Sequence, residues 1–154
     1  MAKFLSTMGI LLMLLGIFGL SYTWHVDHRS AETLSEYAAN EFEVSRDGEG
    51  YVEGAVLSLW DYRFDNANLL PKAVLITDGN AWELDAATRQ TPPPQSGSRF
   101  RSENKLFVQF PQESLRAMLN AEAIRFKFFY DNGQEIDLPL SSKDLALWKR
   151  KIRW

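Results

Sequence analysis

Few residues in this chain are equipped for chemistry. His25, Asp27 and His28 are the one place where imidazoles and a carboxylate gather. Three neighbouring donors without a fourth make a weak metal site, and exposed interfacial polar residues are the commoner meaning of such a trio. Both His also precede the part of the chain that reads as a folded domain, so no Ser–His nucleophile is expected there. Asp61, in Leu-Trp-Asp-Tyr-Arg, is the acid in the most apolar company, and pairing with Arg63 on the same strand face accounts for it. The other acids of the domain fall in predicted turns and on outward strand faces, which does not suit a pair of catalytic carboxylates. Neither Gly-x-x-x-x-Gly-Lys-Ser/Thr nor Gly-x-Gly-x-x-Gly occurs, so the nucleotide cradles are missing. Cys is absent, which excludes thiol catalysis, Cys-based zinc sites, disulfide scaffolds and a lipoprotein anchor. The expectation is a protein that is not an enzyme and holds no metal or cofactor.

The elements around these residues come from composition and patterning. The 154 residues are 45% hydrophobic and 24% charged, a globular composition with room for one domain and an appendage. A formal net charge of −3 argues against a nucleic-acid partner. Charge is unevenly spread. Residues 25–70 hold three Arg against ten Asp and Glu, whereas residues 71–154 hold 13 Lys and Arg against ten acids.

From Phe4 to Trp24 no side chain is charged, a run of 21 residues. As a helix it would extend roughly 30 Å, enough to cross the hydrocarbon of a bilayer, and it is apolar on every side. Tyr22 and Trp24 follow at headgroup depth, where aromatic rings settle. Lys3 and the α-amino group precede the run, so the positive-inside rule predicts a cytoplasmic N-terminus and an exported remainder. The organisation expected is a bacterial inner-membrane protein with an uncleaved anchor over residues 1–24. Small residues spaced as Gly19/Ser21 and Ser21/Thr23 leave a cleaved signal peptide as the alternative. Gly9 and Gly16 share one helix face through which anchors could associate.

Residues 25–50 read as a polar tether containing a short helix over 31–40, with Ser30 as its N-cap. Residues 51–154 read as the exported domain, so the fold class is α+β: a transmembrane helix, then a mainly antiparallel β domain closed by a C-terminal helix. Segment 123–140 alternates as two strands. A three-residue loop, Asp131-Asn132-Gly133, pairs Phe128 with Ile136, Phe126 with Leu138 and Lys127 with Asp137, whereas a two-residue loop mixes the faces. A two-residue Asp78-Gly79 turn likewise pairs Leu75 with Trp82 and Ala73 with Leu84. Residues 51–64 form a strand with a bend or bulge at Gly54, and Lys105–Phe110 form another. Pro111 opens a helix whose face is Leu115, Met118 and Leu119. Ser141-x-x-Asp144 caps the last helix, whose stripe is Leu145, Trp148 and Ile152.

Residues 87–102 break the pattern. Pro92, Pro93 and Pro94 favour an extended segment, and with Arg99 and Arg101 they are the candidate contacts for a protein partner. Tyr22, Trp24, Arg150, Arg153 and Trp154 are the candidate contacts with the lipid bilayer. The functional expectation is a single-pass envelope protein whose domain binds a protein, as an assembly subunit, inhibitor or immunity-type factor. The alternative is a secreted or periplasmic carrier of a small ligand.

Overall fold

The computed structural model describes residues 31–91 and 100–153. Seven strands, β1 (Ala39–Arg46), β2 (Val52–Arg63), β3 (Leu69–Thr77), β4 (Asn80–Thr91), β5 (Ser102–Phe110), β6 (Ile124–Tyr130) and β7 (Glu135–Pro139), join helices α1 (Leu34–Tyr37), α2 (Gln112–Asn120) and α3 (Ser142–Arg153). The strands form one antiparallel sheet in the order β1-β2-β5-β4-β3-β6-β7. It curls into a half-barrel because β4 serves two partners. Its first half, Asn80–Asp85, pairs with β3, and its second half, Ala86–Thr91, pairs with β5.

Both turns derived from side-chain pairing are present. Across β6 and β7, Phe128 faces Ile136, Phe126 faces Leu138 and Lys127 faces Asp137. Gly133 sits at φ 83°, the left-handed residue that a three-residue hairpin requires. Asp78 and Gly79 have φ of 47° and 90°, the mirror-image turn whose twist matches that of its strands, and Leu75 faces Trp82. The β1–β2 ladder shifts register between Ser45 and Arg46, opposite Gly54 and Val52, which is the bulge expected at Gly54.

Two boundaries differ from the pattern-based expectation. Residues 34–46, assigned to the tether, belong to the fold: β1 is an edge strand, and Leu34, Tyr37 and Phe42 are core residues. Glu41 and Glu43 flank Phe42 on the other face, so a half-buried strand looked like a polar linker. The break expected over 87–102 is shorter as well, since β4 continues to Thr91 and β5 starts at Ser102. Ala87 to Gln90 are exposed on both faces, so their ladder with β5 leaves no alternation to detect.

The core fills the concave side. Ile124, Phe126, Phe128 and Tyr130 of β6 point inward. The C-terminal helix α3 lies over them and over β1, with the Trp148 ring stacked on Phe42 at 4.2 Å and 5°. Ser141 caps α3: its Oγ accepts from the Asp144 N–H at 3.1 Å and donates to the Asp144 carboxylate at 2.7 Å. Lys151 Nζ donates to the Phe42 carbonyl at 2.7 Å, and an Arg46 nitrogen donates to the Lys151 carbonyl at 2.8 Å. The helix thereby covers part of an exposed sheet edge. The expected anchor lies outside the described residues; among those described, no helix is long and apolar enough to cross a membrane.

Candidate functional site

Chemistry-bearing side chains collect at one end of the half-barrel. Register fixes that end: Arg63 faces Ser102, Leu69 faces Tyr130, and Thr91 faces Glu103. Three connections meet there, residues 64–68, 100–101 and 131–134.

Inside the end lies a buried polar group. Asp61 points inward from β2 and is 0% exposed. Its carboxylate lies close enough to the Arg63 guanidinium to favour the cation. Tyr130, the last residue of β6, donates to Asp61 Oδ2 at 2.5 Å, and the hydroxyls of Tyr37 and Tyr130 are hydrogen-bonded to each other. A helix, a strand from one half of the sheet and a strand from the other are thus joined through three side chains. Arg63 also donates to Asp65, with two bonds of 2.7 Å, and to Gln134 at 2.9 Å. Asp65 offers both carboxylate oxygens to the guanidinium fork at the open surface. The Arg63 guanidinium still stands 4.2 Å from the centre of the Tyr130 ring.

The protonation states follow from these surroundings. Burial first, and then the Asp61 carboxylate, push the Tyr37 and Tyr130 phenols well above their ordinary range, so both remain protonated donors at neutral pH. The Asp65 bonds raise Arg63, a group already cationic. Arg63 in turn lowers Asp65 to about 2.

The same end is stitched together on its surface. Asn68 donates from its backbone and side chain to the Asp131 carboxylate at 3.0 and 2.7 Å, and Asp131 N–H donates back to the Asn68 carbonyl at 2.9 Å. Those bonds from Asn68 hold Asp131 below the usual carboxylate range. Ser102 and Asn104 side chains donate to the Asp65 and Ala67 carbonyls at 3.1 Å each. On this rim sit three half-buried rings. Phe100 lies 5.5 Å from Tyr62 and 4.9 Å from Phe64, both in tilted contact. Arg101 is exposed beside them, and its N–H donates to the Arg63 carbonyl at 2.8 Å. Rings and an arginine on a strand end and the hydrogen-bonded loops beside it are the composition of an interface centre.

Of the partner contacts read from sequence, Arg101 belongs to this rim, whereas Pro92, Pro93, Pro94 and Arg99 lie outside the described residues. Tyr22, Trp24 and Trp154 also lie outside them. Arg150 and Arg153 are exposed on α3, toward the end that carries Arg46 rather than toward the rim. The rings Tyr62, Phe64 and Phe100 were not singled out. Their signal was the aromatic density of Trp60-Asp61-Tyr62-Arg63-Phe64 and of Arg99-Phe100-Arg101. Among the described residues no three metal-capable side chains converge.

No protein-family model matches the sequence, and no curated relative matches it. A solved structure titled Iho670 flagellar-like filament is similar over 91% of this chain and 98% of that one, at 9% identity and a TM-score of 0.37. A likeness at that level carries no argument about function.

Proposed function

We propose that residues 4–24 hold this chain in a bacterial inner membrane, N-terminus in the cytoplasm, and that the exported half-barrel binds a protein through its aromatic rim. It would serve as an assembly subunit, inhibitor or immunity-type factor rather than as an enzyme. The observation that carries the reading is the rim itself. Tyr62 at the end of β2, and Phe64 and Phe100 on the adjoining loops, are partly exposed rings on connections braced by hydrogen bonds, so little conformational entropy is lost when a partner covers them. The acid with the most unusual environment, Asp61, is buried and engaged by Tyr130, which supports a structural role for it.

The test is a pull-down of the full chain in mild detergent. A partner should be recovered stoichiometrically, and Phe100→Ala or Arg101→Ala should reduce recovery about tenfold or more, as truncation of an interface anchor does. Thr88→Ala, on the exposed part of β4, should leave recovery unchanged. A partner captured equally by rim variants and parent would reject the rim. The intact mass separates anchor from signal: a mature chain beginning near Tyr22 or Trp24 would favour the secreted carrier instead.

A further inference from the structure

The exposed side of α3 is unlike the rest of the molecule. Residues 142–154 carry five Lys and Arg against the single Asp144, whereas residues 31–141 carry ten against eighteen Asp and Glu. Burial of Leu145, Trp148 and Ile152 leaves Lys143, Leu147, Arg150 and Arg153 on the opposite side, spaced three or four apart along one stripe. Leu147 is 38% exposed in the middle of it. Beside the stripe is an open hollow of about 480 Å³ lined by Ala146, Lys149, Arg150 and Arg153, with no carboxylate in its wall. We infer that this stripe docks on the anionic phospholipid surface of the bilayer that holds the chain, with Leu147 entering the interface and the cations meeting phosphate headgroups. The inference rests on the membrane anchorage proposed above.

Three observations select that occupant. The first is where the undescribed chain ends. Ser35 donates to Asp144 at 3.0 Å, so the polypeptide enters the domain beside the first turn of α3. The six residues 25–30 reach roughly 20 Å when extended, and the twelve-residue helix is roughly 18 Å long, so its whole length is within reach of the surface. The second is the direction of the charge. Phe42 meets Trp148 on the concave side, which puts Glu41 and Glu43 on the far face of β1, away from α3. An anionic surface therefore attracts the helix side and repels the other. The third is composition: an apolar residue framed by cations on one helix face is what an interfacial helix presents to acidic lipid.

The chain lacks Cys, so Leu147→Cys and Glu43→Cys each accept one environment-sensitive dye. The full-length protein is reconstituted in vesicles of phosphatidylcholine alone, or of phosphatidylcholine with phosphatidylglycerol. At position 147 the emission should shift to the blue, and be quenched by a lipid-borne quencher, in the anionic vesicles only; at position 43 neither change should occur. Each cation near an acidic surface contributes roughly fivefold to partitioning. Arg150→Glu with Arg153→Glu should therefore lower the docked-to-undocked equilibrium constant about 25-fold or more, with the circular dichroism unchanged. No response at 147, an equal response in neutral vesicles, a response indifferent to the charge reversal, or one that needs an added acidic protein would overturn the lipid assignment. Flotation reads the anchor separately. Flotation with neutral vesicles upholds the anchor whatever the dye reports, and flotation with neither composition removes both. Flotation with anionic vesicles alone, accompanied by the dye response, keeps the helix contact and rejects the anchor.

Discussion

Tyr130→Phe removes one oxygen from the middle of the buried polar group and nothing else. The ring keeps its place in the core and its contact with Arg63. The 2.5 Å bond to Asp61 and the bond between the two phenols are lost, together with the hydroxyl's hydrogen bond with Arg63. A hydrogen bond to a charged acceptor contributes about 1.5–3 kcal/mol and a neutral one about 0.5–1.5 kcal/mol. Shortness and burial place the first toward the upper end. A loss of about 3 kcal/mol is expected, out of the roughly 5–15 kcal/mol that stabilise a typical domain, with a fall in Tm of about 10 °C. Urea denaturation followed by tryptophan fluorescence measures it, because Trp148 lies in the same core. Tyr37→Phe should cost less, about 1 kcal/mol, since it removes the neutral bond and leaves the Tyr130–Asp61 bond in place. A double-mutant cycle of Tyr130→Phe with Asp61→Asn should give a coupling of about 1–2 kcal/mol. A loss under about 0.5 kcal/mol for Tyr130→Phe, or no coupling to Asp61, would refute the view that this bond ties the two halves of the sheet.

Asp65 confers a separate acid sensitivity. Its folded-state pKa of about 2 lies below the ordinary carboxylate value of 3.8, so its contribution is present above that ordinary value and is lost as pH falls toward the folded one. Because its side chain is 53% exposed, solvent screening reduces the contribution to roughly 0.5–1 kcal/mol, and Asp65→Asn should flatten the stability profile between about pH 4 and pH 2. Trp148→Ala opens a cavity beside Phe42 and Phe126 and should cost about 3–5 kcal/mol in equilibrium unfolding, with Trp148→Phe recovering much of that; a loss below about 1 kcal/mol would mean that α3 is dispensable to the core. Gly133→Ala meets no neighbouring atom but must hold φ near 83°, so it should lose about 1 kcal/mol by backbone strain alone, visible as a lower urea midpoint with an unchanged slope.

The sequence alone determined what depends on neighbours along the chain. Both tight turns and the register across them were legible, because shifting a strand by one residue would set Lys127 opposite Leu138 rather than opposite Asp137. The Ser141–Asp144 cap and the buried faces of α2 and α3 were legible for the same reason, since three or four residues span one helical turn. Tertiary structure decided the rest. Val44 and Phe42 became part of a sheet through a ladder to β2, although the residues around them read as a tether. Asp61 accepts a hydrogen bond from a tyrosine 69 positions away, because a half-barrel brings the end of β6 over the interior of β2. Phe100 joined Tyr62 and Phe64 only when β5 paired with β2 and brought the two connections to one rim. Local spacing fixes periodicity and turns, whereas which buried polar group meets which depends on long-range chain closure that no local pattern encodes.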